Sequence, residues 1–269
     1  MTQNFNVDRR LIDEMVSIAS RACAAILAVG ADLAQREKPD RSPVTAADEA
    51  SEAVVLEGLR RLLPGVPVIS EEAVSRAMPA APGARFFLVD PLDGTRELVA
   101  GETEYAVNIA LIDGGRPVAG VIAAPATGTI WAGVVGQGAE RLILAPGAEA
   151  AAARERTAIR TRARPQRGAV ALMSRFHRDP KTDAFLDRIA DLERVVCGAS
   201  IKFCRIAEGS ADIYVRTHSI SEWDAAAGHA LVEAAGGTMT MHDGEAVPYG
   251  RDGFRLPPFI VLGDGSQPV

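Results

Sequence analysis

Leu11, Ile12, Met15, Ile18, Ala19, Ala22 and Ile26 recur at helical spacing. This stripe predicts a long amphipathic helix from about residue 8 to residue 36, laid over one face of a sheet. The polar segment Lys38-Pro39-Asp40-Arg41-Ser42-Pro43 ends it, because each proline lacks a backbone donor and biases its predecessor away from helix. Thr45 then reads as the N-cap of a second helix running to about residue 63, with Asp48 in capping-box position. Two short apolar runs, 66–70 and 86–90, have the character of buried strands, and both end in acidic residues. From 106 to 135 the pattern becomes strand, turn, strand, turn, strand, with Asp113-Gly114-Gly115 and Ala126-Thr127-Gly128 as turn chemistry.

The stretch 145–167, rich in Ala, Arg, Gly and Pro, separates this antiparallel meander from the C-terminal part of the chain. It divides the protein into an α+β subdomain, 1–160, and an α/β subdomain, 161–269. In the second, strands are expected at 169–173, 212–215, 238–241 and 259–262, alternating with helical patterns near 180–190, 200–208 and 224–235.

Composition adds mostly exclusions. With 269 residues, 48% hydrophobic and 24% charged, the chain can bury a large core without a stapling disulfide or metal. A formal net charge of -6 gives no basis for binding nucleic acid or anionic lipid. An anionic substrate would therefore need local cations or backbone N–H groups. Cys23, Cys197 and Cys204 show no CxxC spacing, so neither a zinc site nor a disulfide framework is suggested. No signal-like segment opens the chain, and the apolar stretch 22–34, interrupted by Asp32, is too short to span a membrane. The expectation is a cytoplasmic protein without an integral membrane segment, acting on a small molecule; a homodimer is compatible with the sequence.

Four separated places carry candidate chemistry: Asp48, Glu71 with Glu72, the pair Asp90 and Asp93, and Asp224. A magnesium site built from few carboxylates, water and substrate phosphate suits this donor set. Pro91 fixes the chain between the two aspartates and leaves the Leu92 carbonyl free to turn toward the same ion. Gly94 and Thr95 permit backbone N–H groups to approach a phosphate, especially where a helix begins. Each piece also has a plainer reading. Asp48 and Asp224 both fit capping boxes, with Thr45 and Ser221. Glu71 and Glu72 fit a solvated loop pair, and Asp90 through Thr95 fit an ordinary turn.

The set as a whole resembles a known family. Ser70-Glu71-Glu72, then Asp90-Pro91-Leu92-Asp93-Gly94-Thr95, then Trp223-Asp224 are similar to the motifs of the inositol monophosphatase superfamily of lithium-sensitive, magnesium-dependent phosphatases. Within it, Val107-Asn108-Ile109-Ala110, Ser174-Arg175-Phe176-His177, Ile201-Lys202-Phe203-Cys204 and Glu222-Trp223-Asp224-Ala225-Ala226-Ala227-Gly228-His229 resemble the CysQ-type 3'(2'),5'-bisphosphate nucleotidases. The likeness runs from about residue 11 to the last strand near residue 259. Ala106 departs from it, since relatives often carry a hydroxyl residue there.

The resemblance implies a layered αβαβα sandwich with the site at the junction of an α+β and an α/β half. It implies Mg²⁺ ions held by Glu71, Asp90, the Leu92 carbonyl, Asp93 and Asp224. Thr95, hydrogen-bonded to Asp48, would help orient and deprotonate the attacking water. Substrate would meet Glu71, Leu92, Asp93, Gly94, Thr95 and Asp224, with Lys202 as a candidate contact for a second phosphate or the nucleoside. A solvated surface lysine is the plainer reading of Lys202, and His177 and His229 read as structural. The implied reaction removes the 3'-phosphate of adenosine 3',5'-bisphosphate, with 3'-phosphoadenylyl sulfate as a further substrate. The alternatives are an inositol-1-phosphate or fructose-1,6-bisphosphate phosphatase, and, in another class, a non-catalytic nucleotide-sensing module.

Overall fold

The computed structural model describes residues 7–30, 33–37, 43–78, 81–176 and 178–263. The opening amphipathic stripe forms helix α1, Arg9–Val29, capped by Asp8, whose carboxylate accepts the Leu11 N–H at 2.9 Å. It ends at Val29 rather than near residue 36, because Gly30 adopts φ +69°, a left-handed turn that glycine takes without steric penalty. Beyond it, β1 (Arg36–Glu37) and β2 (Pro43–Val44) form a short antiparallel ladder. Asp32, the helix-breaking stretch 38–42 and His177 lie outside the described residues. Helix α2, Ala46–Leu62, starts at Thr45 with the expected capping box to Asp48.

The next elements are β3 (Val68–Ser70), α3 (Glu71–Arg76), β4 (Arg85–Asp93), α4 (Thr95–Val99), β5 (Ala106–Asp113), β6 (Arg116–Ala124), β7 (Thr129–Val134), β8 (Gly138–Ile143) and β9 (Glu155–Ile159). Strands β3 to β9 lie in sequential order in one sheet, β3 parallel to β4 and every later pair antiparallel. The meander thus runs two strands beyond the apolar pattern. Strand β9 falls inside the stretch 145–167 that reads as a separator. Four of its five residues are exposed, so no apolar alternation marks it.

There follow β10 (Ala169–Ser174), α5 (Pro180–Leu186), β11 (Leu192–Cys197), α6 (Ile201–Ala207), β12 (Ile213–Arg216), β13 (Ile220–Ser221), a 3₁₀ turn Glu222–Asp224, α7 (Ala226–Ala234), β14 (Thr238–Met241), β15 (Arg255–Leu256) and β16 (Phe259–Leu262). The second sheet has the order β11-β10-β12-β16-β14, with β10 parallel to its two neighbours and β16 antiparallel to its own. Strand β11 is absent from the sequence-based expectation. It is an edge strand whose residues 193–196 are exposed, so burial selects no apolar face.

Side-chain alternation then stacks the layers. Along β4, Phe87 and Val89 pack with Met15, Ile18, Val55 and Leu59 of α1 and α2, whereas Phe86 and Leu88 point to the other face, toward Phe203 of α6 and Leu231 of α7. The far side of α6 and α7 meets Tyr214, Met239, Phe259 and Val261 of the second sheet. Helix α5 covers that sheet's outer face through Leu186, against Ala171, Ile213 and Ile260. This is the layered αβαβα sandwich expected from the resemblance. Fully burying each large apolar side chain contributes about 1.5–3 kcal/mol, and the central helix layer gains such contacts on both faces. Gly120 on β6 lets α7 sit this close, since a Cβ there would lie 2.3 Å from the Ala227 carbonyl oxygen.

Candidate active site

Asp90 and Asp93 stand at the end of β4, not in a free turn. On a regular strand residues three apart face opposite ways. Here the β4–β5 register passes from Asp90↔Asn108 to Asp93↔Ala106, so one extra residue is accommodated in β4. Such a bulge re-aims the chain, and both carboxylates line the same cavity of about 350 Å³. The Asp90 carboxylate accepts the Leu92 N–H at 3.0 Å. The Ser51 hydroxyl on α2 donates to the Pro91 carbonyl at 2.6 Å, tying the bulge to the helix behind it. Gly94 then adopts φ +91° and precedes α4. A Cβ there would lie 3.1 Å from Ala199 Cβ and 3.3 Å from the Glu104 carbonyl oxygen.

Glu71 begins α3 at the end of β3, the strand parallel to β4, so its backbone emerges beside Asp90. Its placement depends on Glu52, a buried carboxylate that the sequence pattern does not single out. Glu52 Oε1 accepts the Ser70 hydroxyl at 2.6 Å and the Ala73 N–H at 3.0 Å, and Oε2 pairs with Arg76. Glu72 is buried rather than a solvated partner of Glu71. Asp224 arrives from the other half of the chain, on the 3₁₀ turn, where it accepts the Ser221 N–H at 3.1 Å. Capping and membership of the site are thus combined in one side chain.

Carboxylate oxygens of Glu71, Asp90 and Asp224 all lie within 4.8 Å of one another. Desolvation, then the neighbouring Glu71 and Asp93 charges, push the Asp224 carboxyl well above the ordinary carboxylate range. A cluster of hard oxygen donors that repel one another fits a divalent cation, whose charge reverses that repulsion. Asp93 stands beside them, its Oδ2 accepting the Ser200 N–H at 2.5 Å and lying 3.4 Å from Asn108 Nδ2. The Ser200 hydroxyl donates to Asn108 Oδ1 at 2.7 Å. Asp93 is therefore held by β5 and by the entry to α6 together, a pair of supports that no local motif announces.

The Thr95 hydroxyl lies 3.0 Å from Asp48 Oδ1 and 3.2 Å from the Leu92 carbonyl. Its single proton serves one acceptor at a time, and the carboxylate is the stronger. Asp48 is buried, with Oδ2 occupied by the Thr45 N–H at 2.8 Å and the Thr45 hydroxyl at 2.7 Å. One oxygen caps the helix while the other faces Thr95.

Two further plainer readings are corrected. Lys202 is no solvated surface lysine: it is 3% exposed, and its Nζ donates to the carbonyls of Cys197 (3.2 Å) and Ala199 (2.5 Å), 5.3 Å from the Tyr214 ring centroid. Its side chain nevertheless lines the cavity. Asp90 through Thr95 are likewise no ordinary turn but a bulged strand end leading into a helix. The structural reading of His229 holds, since its ring nitrogens meet Tyr249 Oη at 3.0 Å and Glu233 Oε1 at 3.1 Å. Arg216, also on the cavity wall, carries no motif in the sequence; only its place two residues after a buried Tyr hints at it.

A sequence profile of the inositol monophosphatase family matches residues 5–261. The chain belongs to that family. Among its relatives, the 3'(2'),5'-bisphosphate nucleotidase CysQ of Salmonella typhimurium is 37% identical over 255 residues, covering 93% of this chain and 99% of the relative. CysQ of Escherichia coli K12 is 36% identical with the same coverage. The crystal structure of CysQ from Bacteroides thetaiotaomicron, a bacterial member of the family, superposes with a TM-score of 0.77 at 31% identity, covering 94% of this chain and 97% of that one. Among the described residues no helix is long and apolar enough to cross a membrane.

Proposed function

We propose that the protein is a magnesium-dependent 3'(2'),5'-bisphosphate nucleotidase of the cytoplasm that hydrolyses the 3'-phosphate of adenosine 3',5'-bisphosphate to give AMP and phosphate, with 3'-phosphoadenylyl sulfate as a second substrate. The observation that carries the reading is convergence. Glu71, Asp90 and Asp224 come from three separate elements to within 4.8 Å, and Thr95, hydrogen-bonded to the buried Asp48 behind it, lines the same cavity. The overall likeness to the CysQ nucleotidases supports the choice of substrate class.

Glu71, Asp90, Asp93, Asp224 and the Leu92 carbonyl would hold the metal. A bound divalent cation supplies a lowered pKa for the attacking water and neutralises charge on the phosphoryl group. The chain's own residues do the rest. With its hydroxyl hydrogen-bonded to the Asp48 carboxylate, the Thr95 oxygen offers a lone pair to the water and orients it. As the water oxygen bonds to phosphorus and the P–O3' bond breaks, the water proton passes through Thr95 to Asp48 Oδ1. A second proton from solvent completes the 3'-hydroxyl. Backbone N–H groups at Gly94 and Thr95 face the phosphate, and Lys202 backs the wall on which the nucleoside rests. We read residues 1–160 and 161–269 as the two subdomains that meet at this site.

The test is phosphate release from adenosine 3',5'-bisphosphate, inositol 1-phosphate and fructose 1,6-bisphosphate in parallel, with and without Mg²⁺. Metal-dependent release with preference for the nucleotide is expected. Preference for either sugar phosphate would overturn the nucleotidase reading, and no release from any of them would favour a sensing module.

A further inference from the structure

Within the cluster of Glu71, Asp90 and Asp224, only Asp224 comes from the second half of the chain, and the short 3₁₀ turn Glu222–Asp224 carries it. A 3₁₀ turn of three residues has few and poorly aligned hydrogen bonds of its own, so contacts from outside decide where it sits. Strand β13, which leads into the turn, pairs with β15 at Ile220↔Leu256 and Ser221↔Arg255. The Trp223 ring lies 6.2 Å from that of Phe254. Between these contacts sits Glu222, fully buried. Its Oε2 accepts the Gly250 N–H at 2.8 Å and its Oε1 accepts the Arg251 N–H at 3.0 Å.

The segment that supplies these two donors is itself fixed to the first sheet. The Tyr249 N–H donates to the Gly115 carbonyl, in the turn between β5 and β6, at 3.2 Å, and the Tyr249 hydroxyl meets His229 Nδ1 at 3.0 Å. A Cβ at Gly250 would lie 3.1 Å from Phe86 Cζ, so the backbone there rests on β4, the strand that ends in Asp90 and Asp93. Glu222 therefore links the turn bearing Asp224 to the strand bearing Asp90 and Asp93. Only a carboxylate satisfies both donors. Glutamine offers one oxygen and one NH₂, and its NH₂ would face a backbone N–H whichever way the amide is turned.

We propose that Glu222 is a positioning residue for the metal site: by accepting from both Gly250 and Arg251 it sets where Asp224 stands relative to Glu71 and Asp90, and so the affinity for Mg²⁺. This rests on the magnesium-dependent reading of the site and not on the choice of substrate. The experiment titrates Mg²⁺ calorimetrically into chelator-stripped wild type, Glu222→Gln, Arg251→Pro, Arg251→Ala and the double variant Glu222→Gln/Arg251→Pro, each below its own thermal midpoint. In Glu222→Gln the dissociation constant should rise roughly 10-fold, as is usual for residues that orient metal ligands. Arg251 has φ -79°, within the range of proline, so Arg251→Pro deletes the donor without bending the chain. It should bind Mg²⁺ several-fold more weakly than Arg251→Ala, which loses the same side chain and keeps the N–H. In the double variant the glutamine NH₂ no longer faces the Arg251 donor, so its loss of affinity should be smaller than the product of the two single losses. An unchanged dissociation constant in Glu222→Gln, even with a lowered midpoint, makes Glu222 a fold contact alone and overturns the proposal. Equal affinities of the two Arg251 variants, or losses that simply multiply in the double variant, overturn it as well. If Glu222→Gln does not fold, the two Arg251 variants decide the question. Wild-type protein that binds no Mg²⁺ defeats the metal reading itself, and this inference with it.

Discussion

Replacing Asp48 by Asn separates two jobs held by one side chain. Oδ2 accepts from the Thr45 N–H and hydroxyl, at 2.8 and 2.7 Å, and so caps α2; Oδ1 accepts the Thr95 hydroxyl at 3.0 Å. An asparagine can keep its carbonyl oxygen at the cap, where two donors converge. Its NH₂ then faces Thr95, reverses the polarity of that hydrogen bond and cannot take a proton. Loss of a cap typically costs about 1 kcal/mol, and most of it is retained here, so the thermal midpoint should move by no more than about 2–4 °C. Removal of a positioned proton acceptor typically lowers turnover by about 10²- to 10⁴-fold, equivalent to roughly 3–5 kcal/mol of barrier. The assay is phosphate release from adenosine 3',5'-bisphosphate at saturating Mg²⁺, with thermal unfolding of the same samples. Turnover within a few-fold of wild type would refute the assignment of Asp48 as proton acceptor, and turnover lost only in step with folded protein would make it a cap alone.

Further consequences concern the cluster and its supports. Asp224→Asn removes a carboxyl whose folded pKa is raised by burial and by Glu71 and Asp93, so ionising it at neutral pH opposes folding in the absence of metal. With chelator present the variant should be more stable than wild type near pH 7, and the gap should close as pH falls toward the unfolded aspartate value of about 4; a less stable variant in chelator refutes the repulsion. Without chelator, added Mg²⁺ should raise the midpoint of wild type and leave the variant's nearly unmoved. Glu52→Gln loosens the hold on Ser70 and Ala73, and the Mg²⁺ concentration for half-maximal activity should rise roughly 10-fold, as is usual for residues that orient metal ligands; an unchanged titration midpoint excludes that role. Gly94→Ala places a Cβ at φ +91° against Ala199 and the Glu104 carbonyl, and chemical denaturation should report a loss of about 1–3 kcal/mol, with activity falling alongside because Thr95 is the next residue.

Where a local rule governs, the residues announce their structure. Thr45 and Asp48 form the capping box that their spacing implies, and Ser221 with Asp224 does the same. The meander from β5 to β7 follows its turn residues, and α1 follows its apolar stripe until Gly30 stops it. Where burial does not select an apolar face, the pattern is silent, as for β9 and the edge strand β11. Asp90 and Asp93 look like turn residues in the sequence, because a strand bulge and a turn draw on the same amino acids.

The sequence by itself determined the donor types, their order along the chain and the local caps, since these depend on covalent neighbours. It also carried the family likeness and, through that, the layered fold. Only the tertiary structure decided that Glu71, Asp90 and Asp224 share one cavity, because that proximity depends on β3 running parallel to β4 and on α7 docking against Gly120. The supporting roles of Glu52, Asn108 and Ser200, the burial of Lys202, and the placement of Arg216 beside Tyr214 and His218 are decided at the same level. Each is a contact between distant segments, and spacing along the chain does not encode such contacts.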